Sequence, residues 1–429
     1  MTYNLTNEDF LHFIWKQKLF YQNNLKTTDN QHLEIINPGE INCDAGPDFF
    51  NAKIKIDGIL WAGNIEVHHD INDWNLHNHH KDKAYDNVIL HVVARGKGET
   101  FRTNGEQIPV LFLSWSDELW YSYLALRDQR DWLACSGKLA AISSFEFSFW
   151  KERMLIERLE SRSTQIKEVL KATTSNWDET FYRILFRSFG FGVNSEPFEL
   201  LARSIPLTVL LKYSDNIKIV EALLFGQAGF LNETFIDEYL TDLKREYHFI
   251  RQKHQLKSLE NHIWKFLRLR PSNFPTIRIS QLAHLIVKTK GLFGVFINEE
   301  NLDTILDLLN VDVSEYWETH YLPDRKSKKI FKDLGASSKN LIIINTIIPY
   351  LFSYGKNTQN HVFEDRAMNW LNQLKPEQNA IISKWKANEI SVKNAGDSQA
   401  LIYLSNNYCK KKKCLHCNIG HKVLTIKAE

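Results

Sequence analysis

The sequence is short of cysteine, of net charge and of long apolar runs, and each shortage excludes something. Five cysteines in 429 residues, three of them crowded near the C-terminus, are too few and too unevenly placed for a disulfide framework. The 53 Lys and Arg nearly cancel the 51 Asp and Glu, so bulk charge neither marks a nucleic-acid binder nor excludes one with a local basic groove. No stretch reaches the roughly 18 apolar residues of a membrane-spanning helix. The longest run, LIIINTIIPYLF, is interrupted by Asn345 and Pro349 and suits a buried helix. The N-terminus, MTYNLTNEDFLHFIW, has no basic segment leading into an apolar core, so a soluble cytoplasmic protein with no membrane partner is expected. No repeat of fixed period is present, which excludes a regular solenoid. What is there is ample material for packed cores: 43% hydrophobic and 12% aromatic residues.

The pattern changes near residue 115. Before it, Thr6 or Asn7 can cap a helix through EDFLHFIWKQKLF, where Phe10, Ile14 and Leu19 keep helical spacing. HLEIINPG reads as a strand closed by Pro38 and Gly39, and NAKIKIDGILWAGNIEVHH alternates apolar and polar residues across an Asp57-Gly58 turn, a hairpin signal. NVILHVV reads as a more deeply buried strand and QIPVLFLSW as another. From Asp117 onward helical periodicity dominates; in KERMLIERLESRSTQIKEVL it places Leu155, Leu159, Ile166 and Leu170 on one face. The expectation is an α+β protein: a mixed α/β sheet module over residues 1–116, a large all-α region over 117–400, and a cysteine-containing tail over 401–429.

Chemistry concentrates in the hairpin. Side chains alternate along a strand, so Glu66 and His68 share one face while Ile65 and Val67 point the other way, into the core. Asp48 precedes the partner strand. Two carboxylates brought together at a sheet edge repel, and a hard divalent cation such as Mg²⁺ or Mn²⁺ relieves the repulsion. Asp48, Glu66 and His68 are therefore the expected catalytic set, with Asp48 and Glu66 as metal ligands. The stretch HHDINDWNLHNHHKDKAYDNVILHVV adds His68, His69, His77, His79, His80 and His91. Of these, His91 suits a core position bonded to a carbonyl, and His77 suits an accessory site role. Asp73 and Asp82 are available to fix an imidazole tautomer.

The Pro47-Asp48 pair followed by Glu66, Val67 and His68 resembles the PD-(D/E)XK nuclease superfamily, with His where that superfamily has Lys. The resemblance implies a restriction-endonuclease-like module in which Asp48 and Glu66 hold the ion that activates water against a phosphodiester. It also implies a cationic assistant, supplied by Lys53 or Lys55 if His68 does not serve, and an extra acid at Glu8. DNA or RNA would be the substrate.

At the C-terminus, YCKKKKCLHCNIGH sets Cys409, Cys414 and Cys417 in C-x4-C-x2-C spacing. Three thiols this close point to Zn²⁺ or an iron–sulfur cluster. Cys135 leads as fourth ligand, with His421 and Cys43 as alternatives. One upstream cysteine and a downstream triplet clasping a sheet module is similar to the arrangement of the iron–sulfur nucleases. Lys410 to Lys413 would balance a cluster's charge or touch phosphates.

In WKFLRLRPSNFPTIRISQLAHL, Arg268, Arg270 and Arg278 beside Phe274 suit a nucleic-acid backbone or the inside of a helical bundle. GPDFFNAKI, WAGNIEVHHDINDW, YDNVILHVV, LFGQAGFL, RPSNFPTIR and YCKKKKCLHC together resemble, over nearly the whole chain, a family of uncharacterised bacterial proteins designated as a domain of unknown function. Three functions stay open: a metal-dependent phosphodiesterase or nuclease, a catalytically inactive scaffold binding protein or nucleic acid, and a zinc-dependent hydrolase using Glu66, His68 and His77.

Overall fold

Hydrophobic spacing and one tight turn lay down the first half of the fold. The structure, a computed structural model, describes residues 8–42, 44–290 and 292–426. The proposed caps Thr6 and Asn7, and Cys43, lie outside the described residues. Helix α1 (Glu8–Lys16) buries Phe10, Leu11, Phe13, Ile14 and Trp15. It is shorter than its apolar pattern suggests, because Lys18 takes a positive φ of 52° and turns the chain out of helix before Leu19. The Phe10 ring packs against Trp115, Trp120 and Tyr123, and Trp15 donates its indole N–H to the Pro38 carbonyl at 3.0 Å.

The strands are β1 (Leu33–Asn37), β2 (Glu40–Ile41), β3 (Phe49–Ile56) and β4 (Ile59–Asp70). Asp57 and Gly58 between β3 and β4 have φ of 47° and 84°, the two left-handed positions of the turn read from the sequence. After β4 come the short helix α2 (Asp73–Leu76), then β5 (Val88–Arg95), a ribbon of β6 (Thr100–Phe101) with β7 (Gln107–Ile108), and β8 (Val110–Phe112). The main sheet runs β1-β3-β4-β5-β8, with β2 beside β3. Its first three members form an antiparallel meander, while β4–β5 and β5–β8 are parallel. A parallel pair needs a crossover rather than a turn. Here the β4–β5 crossover is the histidine-rich segment 71–87, and that connection places the site.

By contacts the chain divides into two units, Met1–Trp150 with Leu404–Glu429, and Lys151–Tyr403. The sheet belongs to the first, together with α3 (Asp117–Asp128), whose Ser116 cap accepts the Leu119 N–H at 3.2 Å. The second unit is helical, as its periodicity predicts. In α4 (Ser144–Ala172) the residues Leu155, Leu159, Ile166 and Leu170 are all buried, and helix Pro275–Thr289 is buried along most of its length. The run containing Asn345 and Pro349 is a buried helix with a π-turn at Ile343–Ile347. The π-turn leads directly into Pro349, which has no N–H to give, and Asn345 accepts from the buried Arg158 guanidinium at 2.9 Å. The fold is α+β, and among the described residues no helix is long and apolar enough to cross a membrane.

Candidate functional site

β4 lies between β3 and β5, so its inner half has neighbours on both edges. Alternation does place Glu66 and His68 on one face opposite Ile65 and Val67. That face is covered, however, and not the half-open edge that the pattern suggests: Glu66 is 4% and His68 2% exposed. The crossover supplies the cover. Trp74 in α2 is fully buried against Val88 and Ile108. Beyond it Asn78 adopts the left-handed conformation, φ 62°, which asparagine tolerates better than most residues, and the chain reverses between His77 and His79.

Three imidazoles and one carboxylate oxygen then line up in a chain of close contacts. His77 Nδ1 lies 3.2 Å from His68 Nε2, His68 Nε2 lies 3.3 Å from Glu66 Oε1, and His79 Nε2 lies 3.2 Å from the same oxygen. A nitrogen of each of the three imidazoles falls within 4.8 Å of the other two. His79 Nε2 is buried and close to Glu66, yet the geometry is not that of a hydrogen bond. His77 is the exposed member of the set and opens it to solvent; Leu76 beside it is 73% exposed.

The surrounding contacts orient these donors. Asp48 donates its backbone N–H to Glu66 Oε2 at 3.1 Å, leaving Oε1 for the imidazoles, and its carboxylate accepts the Val67 N–H at 2.9 Å. Asp48 also lies 3.2 Å from His12 Nε2 on α1. Burial opposes a charge on His12, but Asp48, with Glu8 and Asp9 near by, outweighs it and raises the His12 pKa. His68 Nδ1 is 2.9 Å from His91 Nε2. Burial, then the neighbouring His68, push His91 down to about 3, so it is neutral and can accept a hydrogen bond from His68. The sequence suggests a carbonyl as the partner of His91; the partner is an imidazole. The Tyr85 ring stacks on His79 at 3.8 Å, and burial followed by the Glu66 charge raises its hydroxyl to about 12.

Burial alone would raise the Glu66 pKa, but the His68 and His79 imidazoles reverse this and hold it at about 2, against an ordinary 4.5. A carboxyl whose folded pKa is depressed contributes stability that is full above its unfolded value and lost as pH falls through the folded one. The metal-free protein should therefore lose stability between about pH 4.5 and pH 2 in part through Glu66. Denaturant melts across that window should show a shallower acid slope for Glu66→Gln than for the native chain; equal slopes would contradict the assignment.

The other expected site residues are dispersed. Lys53 is exposed opposite Asn37, and Lys55 pairs with Glu34 at 3.5 Å. Glu8 is exposed on α1 and reaches the site only through its effect on His12. Asp73 and Asp82 accept backbone N–H groups, of Asp70 and Ala84, rather than imidazole protons. In the helical unit Arg268 and Arg270 are exposed. Arg278 is 5% exposed and bonds Gln281, Asn273 and Ser338, with its guanidinium 4.4 Å from the Phe191 ring centroid. The three arginines do not form one surface. His12, Tyr85 and the role of His79 are not legible from the strand pattern; the only signal for His79 is the His77-x-His79 spacing close after Glu66-x-His68.

Cys135, Cys409, Cys414 and Cys417 are free thiols and line one recess. His421 turns its Nε2 to the Leu415 carbonyl and its ring to Phe13, 4.7 Å between centroids.

A family model described as protein of unknown function (DUF2851) matches residues 8–380. No curated protein and no solved structure matches the chain.

Proposed function

Since the chain belongs to the DUF2851 family of proteins of unknown function, its activity has to be read from its side chains, and we propose a metal-dependent hydrolase centred on Glu66, His68, His77 and His79. One observation carries this: the donor separations of 3.2–3.3 Å. Ligands about 2.0–2.1 Å from a tetrahedral ion stand about 3.3 Å apart, a spacing that His77 and His68 already have and that the third imidazole, within 4.8 Å of both, approaches, with Glu66 Oε1 beside His68 and His79. Imidazole-rich sets suit zinc and its first-row neighbours, whereas Mg²⁺ takes oxygen.

The ion in such a site lowers the pKa of a water to about 7 and polarises a carbonyl or phosphoryl oxygen. The protein supplies the rest. The Asp48 N–H holds Glu66 in one orientation, and neutral His91 Nε2 can accept a hydrogen bond from His68 Nδ1–H, which leaves His68 Nε2 free to ligate. Glu66 Oε1, 3.2–3.3 Å from His68 and His79, would be placed to accept a proton from a water held beside these imidazoles. Exposed His77 marks the side of entry.

A narrower reading, Mg²⁺- or Mn²⁺-dependent cleavage of DNA or RNA with Asp48 and Glu66 as ligands, is favoured by the interlocking of those two residues. Its weakness is that Asp48 already spends one oxygen on the Val67 N–H and His12.

The two readings separate in one experiment. Chelator-treated protein is reloaded with Zn²⁺, Mn²⁺ or Mg²⁺, and bound ion and hydrolysis of an aryl ester, an aryl phosphodiester and labelled DNA and RNA are measured. The ion retained by a His77→Ala/His79→Ala variant serves as the blank for thiol-bound metal. One additional ion in the native chain, with Zn²⁺ or Mn²⁺ restoring hydrolysis, is expected. Cleavage with Mg²⁺ that survives in the variant supports the nuclease reading instead, and no additional ion with no hydrolysis leaves a binding scaffold.

A further inference from the structure

The second cluster lies apart from these donors, on segments the hydrolase reading does not use. We propose that Cys135, Cys409, Cys414 and Cys417 hold an iron–sulfur cluster. Cys409, Cys414 and Cys417 keep the C-x4-C-x2-C spacing that, with one distant cysteine, ligates plant-type clusters. The fold supplies the distant one. Cys135 stands at the start of the turn Ser136–Ala141, 274 residues before Cys409 in sequence, and faces the same recess. Leu133, Ala134 and Tyr408 give that recess an apolar wall.

The tail is fastened there by its own contacts. Lys422 pairs with Glu146 at 2.7 Å, Lys138 donates to the Val423 carbonyl at 3.5 Å, and Lys412 donates to the Gln129 carbonyl. Cys417 stands at the N-cap position of the last helix, Asn418–Thr425. Gly420 has to be glycine, since a Cβ there would sit 2.0 Å from the Cys414 carbonyl oxygen. This close approach keeps Cys414 and Cys417 together.

Cys417 is buried and the other three thiols are partly so; iron would bind them as thiolates, displacing their protons. Exposed Lys410 to Lys413 flank the site and offset the negative charge of a thiolate-bound cluster.

A single zinc is the competing occupant, and spacing argues against it. Zn–S bonds of about 2.3 Å would draw all four sulfurs to about 3.8 Å from one another. Among the described residues the three imidazoles meet within 4.8 Å, and no trio of these thiols does. A polynuclear core does not require all four sulfurs to converge on one ion.

The test is anaerobic purification of the full chain, with iron, acid-labile sulfide and zinc assayed and visible absorption recorded. Material low in iron is then reconstituted with ferrous iron and sulfide. Iron and sulfide in equal amounts, with a visible charge-transfer band that bleaches on dithionite reduction, are expected. Cys414→Ser and Cys135→Ser should each lose most of the band. His77→Ala should keep it while losing hydrolysis, so failure here and failure of the hydrolase reading are told apart. Because Cys135→Ser could fail to fold, circular dichroism accompanies each variant and the native reconstitution stands as the primary readout. Stoichiometric zinc that iron does not replace, or no cluster after reconstitution, overturns the proposal; so does an undiminished band in folded Cys135→Ser.

Discussion

Replacing Glu66 by glutamine is expected to lower hydrolysis by about 10²–10⁴-fold, the usual worth of a placed acid–base group, with little change in fold. Glutamine keeps the shape and can still accept the Asp48 N–H, but it cannot carry charge or take a proton. His68→Ala should go further and abolish retention of the ion, because Nε2 of that residue lies within 3.3 Å of both Glu66 and His77. His91→Gln gives the graded case. It touches the ion only through His68 Nδ1, and loss of such an outer partner costs about 10–100-fold in metal affinity. Metal titration followed by chelator competition measures all three. If His68→Ala binds the ion like the native chain, the four-donor centre is wrong, whatever happens to activity.

Trp74→Ala is expected to cost about 3–5 kcal/mol of stability, the range for emptying a large aromatic site. Trp74 is 0% exposed, donates its indole N–H to the Phe101 carbonyl at 3.0 Å, and packs its ring 5.4 Å from His79 and 5.2 Å from His91. Its loss removes the floor under the crossover, so metal affinity should fall together with stability. Trp74→Phe keeps most of the volume and drops the hydrogen bond, for a smaller cost of about 1 kcal/mol. Urea melts of the metal-free proteins give the stability terms and metal titration the coupling. An alanine variant that melts with the native midpoint would show that the crossover is not held by this residue.

The two effects trace to different levels of organisation. The Asp57-Gly58 hairpin, the pairing of Glu66 with His68 on one face, and the buried helix around Asn345 are properties of spacing and of local backbone preference, and they could be read residue by residue. The partners of Glu66 could not. His79 reaches it, and His77 reaches the neighbouring His68, because β4 and β5 run parallel, which obliges the chain to cross over, and the crossover folds back on the strand it has just left. His12 reaches Asp48 from a helix 36 residues earlier in the sequence, and Cys135 reaches the C-terminal thiols across 274 residues.

Sequence by itself therefore determined the elements, their apolar faces and the chemical character of two clusters, because these depend on periodicities of two and 3.6 and on residue type. Tertiary structure alone decided which donors share a shell. It put an imidazole rather than a carbonyl beside His91, closed the Glu66 face that alternation left open, and tied Arg278 into the helical unit instead of exposing it. The physical reason is that ligand geometry is set by contacts between segments distant in the chain, and no local preference encodes those.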